Sequence, residues 1–463
     1  MEKEIWNWTE HAVEMIPFGL LAGFCGEAEI RITKLAEEGF CFRTIRENPS
    51  EKEKFHLCFY DLQQNGYEEL FVKPVDIKLE ERTEVFTSYA VCVNEEAYRA
   101  AVQKLFYQYD RYIRLKLEKD DSGLAEALTG YPAKKDEEFA VSFAKQMEEW
   151  LEEEQGCRNE KKIGEVEILP ELALELDCPH LYEAFLGSEI QLFLGQYTKA
   201  YGSLSELWKA KKPDRIYLGN AFCPLLFPEN KMLFAMLEKA KREAFAVTLT
   251  FSYVREYQLS ETETLLEKLQ DWCRENETSL EIVVNDWAMA DLLKDRTKYF
   301  NPCLGVLLNK RRKDPRMTYK KGDLSLLKQN PLNADFYREY LEQTFHMHRF
   351  EWESCGYEQQ IPDAENHLHL PFYQTNTSQY CTLYAGTQWK DRGRQSLVTA
   401  CDKRCEKQVY LYPKHLHMVG RYNSLFGLDT EILRRAGIVQ GEFEKMNAFC
   451  KKQHIRRLVF GCL

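Results

Sequence analysis

The sequence predicts an α/β protein in two parts. Its C-terminal part should form a parallel sheet, open or closed into a barrel, and a small mostly-β domain should precede it. Three observations lead there. Residues 1–132 are rich in short β-prone runs separated by turn residues. From residue 189 onward, short apolar runs alternate with amphipathic helical stretches, the pattern of βα units. The charge also divides: residues 1–188 hold 22 Lys+Arg against 40 Asp+Glu, net −18, while residues 189–463 hold 40 against 34, net +6.

The N-terminal elements follow from alternation. A-E-I-R-I-T-K-L (28–35) alternates apolar and polar residues, as a half-buried strand does. G-F-C-F-R-T-I, K-F-H-L-C-F-Y and E-V-F-T-S-Y-A-V-C-V continue as β-rich runs, with N-P-S-E-K-E and Q-Q-N-G-Y as turns. E-E-A-Y-R-A-A-V-Q-K-L-F-Y-Q-Y has apolar residues at helical spacing. A small barrel or sandwich closed by a helix is expected over 1–132. E-E-G-F-C-F-R-T and Y-R-A-A-V-Q-K-L-F-Y-Q resemble PilZ-like barrels, but the arginine motif of that family for cyclic dinucleotides is missing. An acidic helical linker is expected over 133–188, with an amphipathic helix at 135–160.

In the C-terminal part, strands are expected at 190–194, 215–219, A-V-T-L-T-F, 280–286 and 304–309, with a helix after each of the first four. Residues just past such strands face one rim of a parallel sheet or barrel. Cys223, Arg255, Asn285, Asp286 and Asn309 fall there.

Composition narrows the function. The chain has 463 residues, of which 44% are hydrophobic and 29% charged, consistent with two or three globular domains. No apolar run is long enough for a membrane span, and no signal pattern opens the chain, so a cytoplasmic protein is expected. Fifteen cysteines are then better read as buried thiols or ligands than as disulfides. The acidic half is a poor nucleic-acid surface; the mildly basic half suits a nucleic acid or an anionic metabolite.

Cys381, Cys401 and Cys405, with Cys223 upstream, form a plausible four-thiolate set. Soft sulfur ligands suit an iron–sulfur cluster or zinc. Lys390, Arg392, Arg394, Lys403, Arg404 and Lys407 surround the later three. Asp286 is either a helix cap or a carboxylate able to act as a base. The run Asn309 to Lys313, with Arg316, is either a solvated loop or an anion site. Glu351 and Glu353 share one face of a strand, which suggests a polar interior. The pairs His346/His348, His367/His369 and His415/His417 could chelate a metal if each lies on a strand.

P-D-R-I-Y-L-G-N-A-F-C, L-E-I-V-V-N-D-W-A, C-L-G-V-L-L-N-K-R-R-K-D-P-R, F-E-W-E-S-C-G-Y, the Cys381–Cys405 segment and H-M-V-G-R-Y-N-S-L-F-G together resemble the U32 family of collagenase-like peptidases. Within it they resemble the UbiU/UbiV-type iron–sulfur proteins. The resemblance spans 189–463. It implies a TIM-barrel-like fold and a [4Fe–4S] cluster on Cys223, Cys381, Cys401 and Cys405, with Cys355 as the alternative to Cys381. It further implies oxygen-independent hydroxylation or modification of RNA or a small aromatic precursor. Asp286, Asn309, Glu353 and Arg255 are then expected in the substrate pocket. A non-catalytic role beside a second U32 subunit, and the collagenase-like peptidase activity that the family name suggests, are the other expectations. Proteolysis finds no support in the residues, which hold neither a Ser/His/Asp order nor H-E-x-x-H.

Overall fold

The computed structural model describes residues 5–14, 16, 19–26, 28–45, 54–61, 66–117, 166–199, 205–311, 328–389, 394–411, 417–438 and 441–461. The helix expected at 135–160, together with Arg312, Lys313, Arg316, Lys390, Arg392 and His415, lies outside them. The chain divides into two compact units, Met1–Lys134 with Arg316–Leu326, and Lys135–Pro315 with Leu327–Leu463.

The first unit is an antiparallel sheet. Its strands are β1 (Val13–Glu14), β2 (Leu21–Cys25), β3 (Ala28–Ala36), β4 (Gly39–Thr44), β5 (Phe55–Asp61), β6 (Gly66–Val72), β7 (Asp76–Arg82) and β8 (Thr87–Cys92). They pair in the order β6-β5-β2-β3-β4-β8-β7, with β1 on β3. Of the expected barrel or sandwich, the described residues show one antiparallel strand path. Its core is aromatic: Phe40, Phe42 and Phe55 pack with Tyr98, Val102 and Leu105 of the helix Glu96–Leu117. The Tyr98 hydroxyl donates to Ala36 O at 2.9 Å, which satisfies a buried polar tip.

In the second unit eight parallel strands close a barrel. They are β9 (Glu171–Leu176), β10 (Arg215–Gly219), β11 (Ala246–Thr250), β12 (Leu280–Val284), β13 (Phe300–Leu304), β14 (Arg349–Glu353), β15 (Glu365–Leu370) and, last in the chain, β20 (Ile455–Gly461). β20 pairs with both β15 and β9, so the last strand shuts the ring. Helices pack outside through apolar stripes, such as Leu233, Met236, Leu237 and Ala240 of Asn230–Arg242. Between β15 and β20 the chain leaves the barrel to form an antiparallel sheet. Its strands β16 (Phe372–Thr377), β17 (Tyr410–Leu411), β18 (Met418–Arg421) and β19 (Ser424–Leu428) run in the order β16-β19-β18-β17.

Three expectations are corrected. Residues 190–194 are not a strand but the start of the helix Ile190–Lys199. Phe193 and Tyr197, one helical turn apart, are both buried, and a five-residue apolar run does not separate the two periods. The first barrel strand is instead Glu171–Leu176, inside the stretch read as a linker. The strand expected at 304–309 ends at Leu304, because the backbone turns there: Leu308 N and Asn309 N both donate back to Gly305 O, at 3.1 and 3.0 Å. Nor is the His346/His348 pair on a strand: His346 ends the helix Asp335–Phe345 in a left-handed conformation.

The barrel interior is ionic toward the strands' N-terminal ends. Arg457 bonds Glu171, Glu281 and the Tyr217 hydroxyl, and Arg215 bonds Glu171. One layer higher, Ala173, Tyr217, Val283, Cys303 and Val459 pack together. Layers of inward side chains are how a barrel of eight strands fills its centre.

Candidate metal centre

Cys223 follows β10 at the C-terminal rim. Gly219 turns the chain there with φ 117°, and a Cβ would run into Thr250 O, so only glycine fits. Asn220 then accepts from the amides of Phe222 and Cys223, both at 2.8 Å, and fixes the loop. The excursion between β15 and β20 carries the other three cysteines. Cys381 Sγ accepts from Tyr384 N and donates to Tyr422 O, both at 3.4 Å. Cys405 sits in the turn Arg404–Glu406.

These four free cysteines lie near enough for the charge of each thiol to act on the others, but no three of them bring donor atoms within 4.8 Å of one another. Burial pushes the Cys223 thiol up to about 12, and Cys381 and Cys401 add to the rise. Cys405 and Cys381 are raised for the same two reasons, burial first. Thiolates that oppose one another in a partly buried site fit a group that carries positive charge, and four soft donors suit iron–sulfur or zinc. Cys355 has other company: it is buried, donates to Tyr357 O and lies near Arg311 and Asp429.

Two cations outside the run expected from the sequence also act on the thiols. Arg421, 6% exposed, donates from Nε to Cys405 O at 3.1 Å and acts on its thiol, and Arg255 acts on Cys223. Arg394 instead stacks on Trp389, and Arg404 pairs with Asp402.

Two openings flank Cys223. Phe222 lines a cavity of about 40 Å³ at the barrel mouth, together with Glu175, Asp177, Glu353, His369 and Phe426. Pro224 lines a cleft of about 490 Å³ with Phe227, Phe251, Tyr253 and Lys268. Phe227 and Phe251 stack at 4.4 Å.

Asp177 went unnoticed in the sequence, hidden at the end of a strand read as linker. Its Oδ2 accepts from the Tyr422 hydroxyl at 2.6 Å, the Cys178 thiol also acts on the carboxyl, and its Oδ1 has no hydrogen-bond partner among the described residues. Burial raises its pKa, against the pull of Arg421. His369 sits between Glu351 (2.7 Å) and Glu175 (3.7 Å). Burial disfavours its charge, but the two carboxylates win and lift its pKa to about 10. Glu351 also accepts from His367 at 2.9 Å and Tyr217 at 3.0 Å.

The other expected pocket residues are held by the fold. Asp286 caps the helix Trp287–Leu293, with one oxygen on Met289 N and the other on Val254 N. Asn309 bridges Glu351 O and Asn330. Arg255 donates to Val398 O and Gln379 O, tying down the segments that bear Cys381 and Cys401. Glu353 accepts from Gln374 N at 2.7 Å while lining the small cavity.

Two further groups could hold a metal ion, Cys303–Glu351–His367 and Cys178–His180–Glu406. Among the described residues no helix is long and apolar enough to cross a membrane.

No family model matches this chain, and no curated protein matches it. Among solved structures, a U32 peptidase, Mk0906, aligns over 66% of this chain and 98% of its own at 8% identity, with a TM-score of 0.27. An uncharacterized Legionella protein, Lpg0364, aligns over 22% of this chain and 95% of its own at 13% identity, with a TM-score of 0.17. At these TM-scores neither likeness assigns a family.

Proposed function

We propose that the chain is an iron–sulfur protein of the U32 class. In this reading Cys223, Cys381, Cys401 and Cys405 hold a [4Fe–4S] cluster. The cleft beside them takes an RNA base or a small aromatic precursor for oxygen-independent hydroxylation or a related modification. The observation that supports it is the place of Cys223. It stands at the C-terminal rim, where barrels of this kind carry their chemistry. The residue before it lines the polar cavity, and the residue after it lines the aromatic cleft.

When bound, the cluster would supply one-electron transfer at thiolate-ligated iron. The protein residues do the rest. Arg421 and Arg255 offset the thiolate charge, which favours the more reduced state. The stacked pair Phe227 and Phe251 offers an apolar wall to a planar ring. Asp177 Oδ1 can accept a proton within the cavity, and the Tyr422 hydroxyl holds the other oxygen. Glu353 and His369 set the polarity of the same space. A second U32-type chain is the protein partner this reading suggests, and co-purification tests it separately.

Anaerobic purification with iron, sulfide and zinc analysis tests the reading. About four irons per chain, lost on Cys223→Ala and on Cys405→Ala, is the expected result. Zinc alone, or no metal in a folded chain, overturns it.

A further inference from the structure

Beside the thiol quartet lies a second set of donor atoms that shares none of its residues. Cys178 precedes the helix Pro179–Gly187 as its N-cap, His180 stands in the first turn of that helix, and Glu406 closes the turn that carries Cys405. Cys178 Sγ lies 3.3 Å from His180 Nδ1, and His180 Nδ1 lies 3.3 Å from Glu406 Oε1. All three donor atoms fall within 4.8 Å of one another. In tetrahedral zinc, with bonds of about 2.0–2.3 Å, neighbouring donor atoms are about 3.3–3.7 Å apart. The two measured separations match edges of that polyhedron.

We propose that Cys178, His180 and Glu406 bind a divalent cation of the zinc type, with the fourth coordination position open to solvent. The donor set selects the metal. Thiolate and imidazole suit zinc or cobalt, whereas magnesium and calcium prefer all-oxygen shells. Glu406 Oε1 also accepts from His180 N at 2.8 Å, so carboxylate and imidazole are held in register before any metal arrives. The His180 side chain is 53% exposed, which gives the ion a way in. Three protein ligands with an open fourth place is the arrangement of a reactive zinc rather than a structural one. A water or a substrate oxygen would take that place.

The other donor group, Cys303–Glu351–His367, is a poorer host. His367 Nδ1 already meets the Arg457 guanidinium at 3.1 Å, and Glu351 is taken by two histidines and Tyr217. A second cation there would face one already in place.

The test is cobalt(II) titration of the full chain, purified anaerobically with its iron content measured. The readout is bound cobalt per chain and the thiolate-to-cobalt absorption. About one cobalt per chain of this kind is expected. It should weaken at least about tenfold in His180→Ala and in Cys178→Ser, persist in Cys401→Ala, and fall in Glu406→Gln. His180 is exposed, so its variant should fold, and far-UV dichroism checks this. Cobalt binding that is absent from the wild-type chain, or indifferent to His180→Ala and Cys178→Ser, overturns the proposal. So does binding that is lost only in Cys401→Ala, which places the metal in the quartet. Iron and sulfide content reports on the quartet independently.

Discussion

The Tyr422 hydroxyl donates to Asp177 Oδ2 at 2.6 Å, joining the end of the first barrel strand to the antiparallel sheet whose connections carry Cys381, Cys401 and Cys405. Both residues are buried, and Arg421, next to Tyr422, acts on the same carboxyl. Tyr422→Phe removes one hydroxyl and leaves the ring. A hydrogen bond to a charged group is worth about 1.5–3 kcal/mol, and chemical denaturation should show a loss of that order. An unchanged midpoint would mean that water replaces the hydroxyl without cost.

The acid limb of stability should depend on Glu281. Burial alone would raise its pKa, but His367, Arg457 and Arg215 overcome it and bring the value down to about 2. A carboxyl depressed in the folded state stabilises above its unfolded pKa, and that contribution fades as pH falls toward the folded value. The wild-type chain should therefore lose stability from about pH 4.5 downward, with this contribution exhausted below about pH 2. Glu281→Gln should flatten that limb. It should also cost about 3–5 kcal/mol at neutral pH, because it breaks a buried pair with Arg457. Denaturant midpoints across pH read both effects.

Asn220 should control metal retention without being a ligand. Asn220→Ala frees the amides of Phe222 and Cys223, and the loop bearing Cys223 loses its anchor. Iron per chain should fall, with a stability loss of about 1 kcal/mol, the low end of the range, for part-buried donors left unpaired. Asn220→Asp keeps the acceptor and should retain more metal. Equal iron in both variants would show that the loop is held by other contacts.

Phe42 tests the first unit. It is fully buried and packs against Phe40, Phe55 and Tyr89. Phe42→Ala should cost about 3–5 kcal/mol. Calorimetry would register this as a lowered transition for the unit that contains it.

The strands β10, β11 and β12 were legible because each is a short apolar run that ends in a polar rim residue before an amphipathic helix. β9 was not. Its Glu171 and Glu175 point into the barrel, where Arg215, Arg457 and His369 meet them, so the usual reading of polar as outward fails. The spacing of the four cysteines marked them out in the sequence, and the fold brings them near the C-terminal rim, where their charges act on one another. Asp177 and Arg421 were not, since their roles arise only when residues far apart in sequence come together. Asp286 showed its cap signature and Asn309 its strand-end position, but neither reveals that both side chains are saturated by the fold.

Because β20 supplies both the last ladder of the ring and the guanidinium of Arg457, a nascent chain cannot finish this domain until its final strand has left the ribosome. Up to that moment Glu171 and Glu281 lack their main counter-charge, and β9 and β15 are bare edges open to pairing with other chains. Removing β20 should leave β9 and β15 as exposed edges and raise the tendency to aggregate.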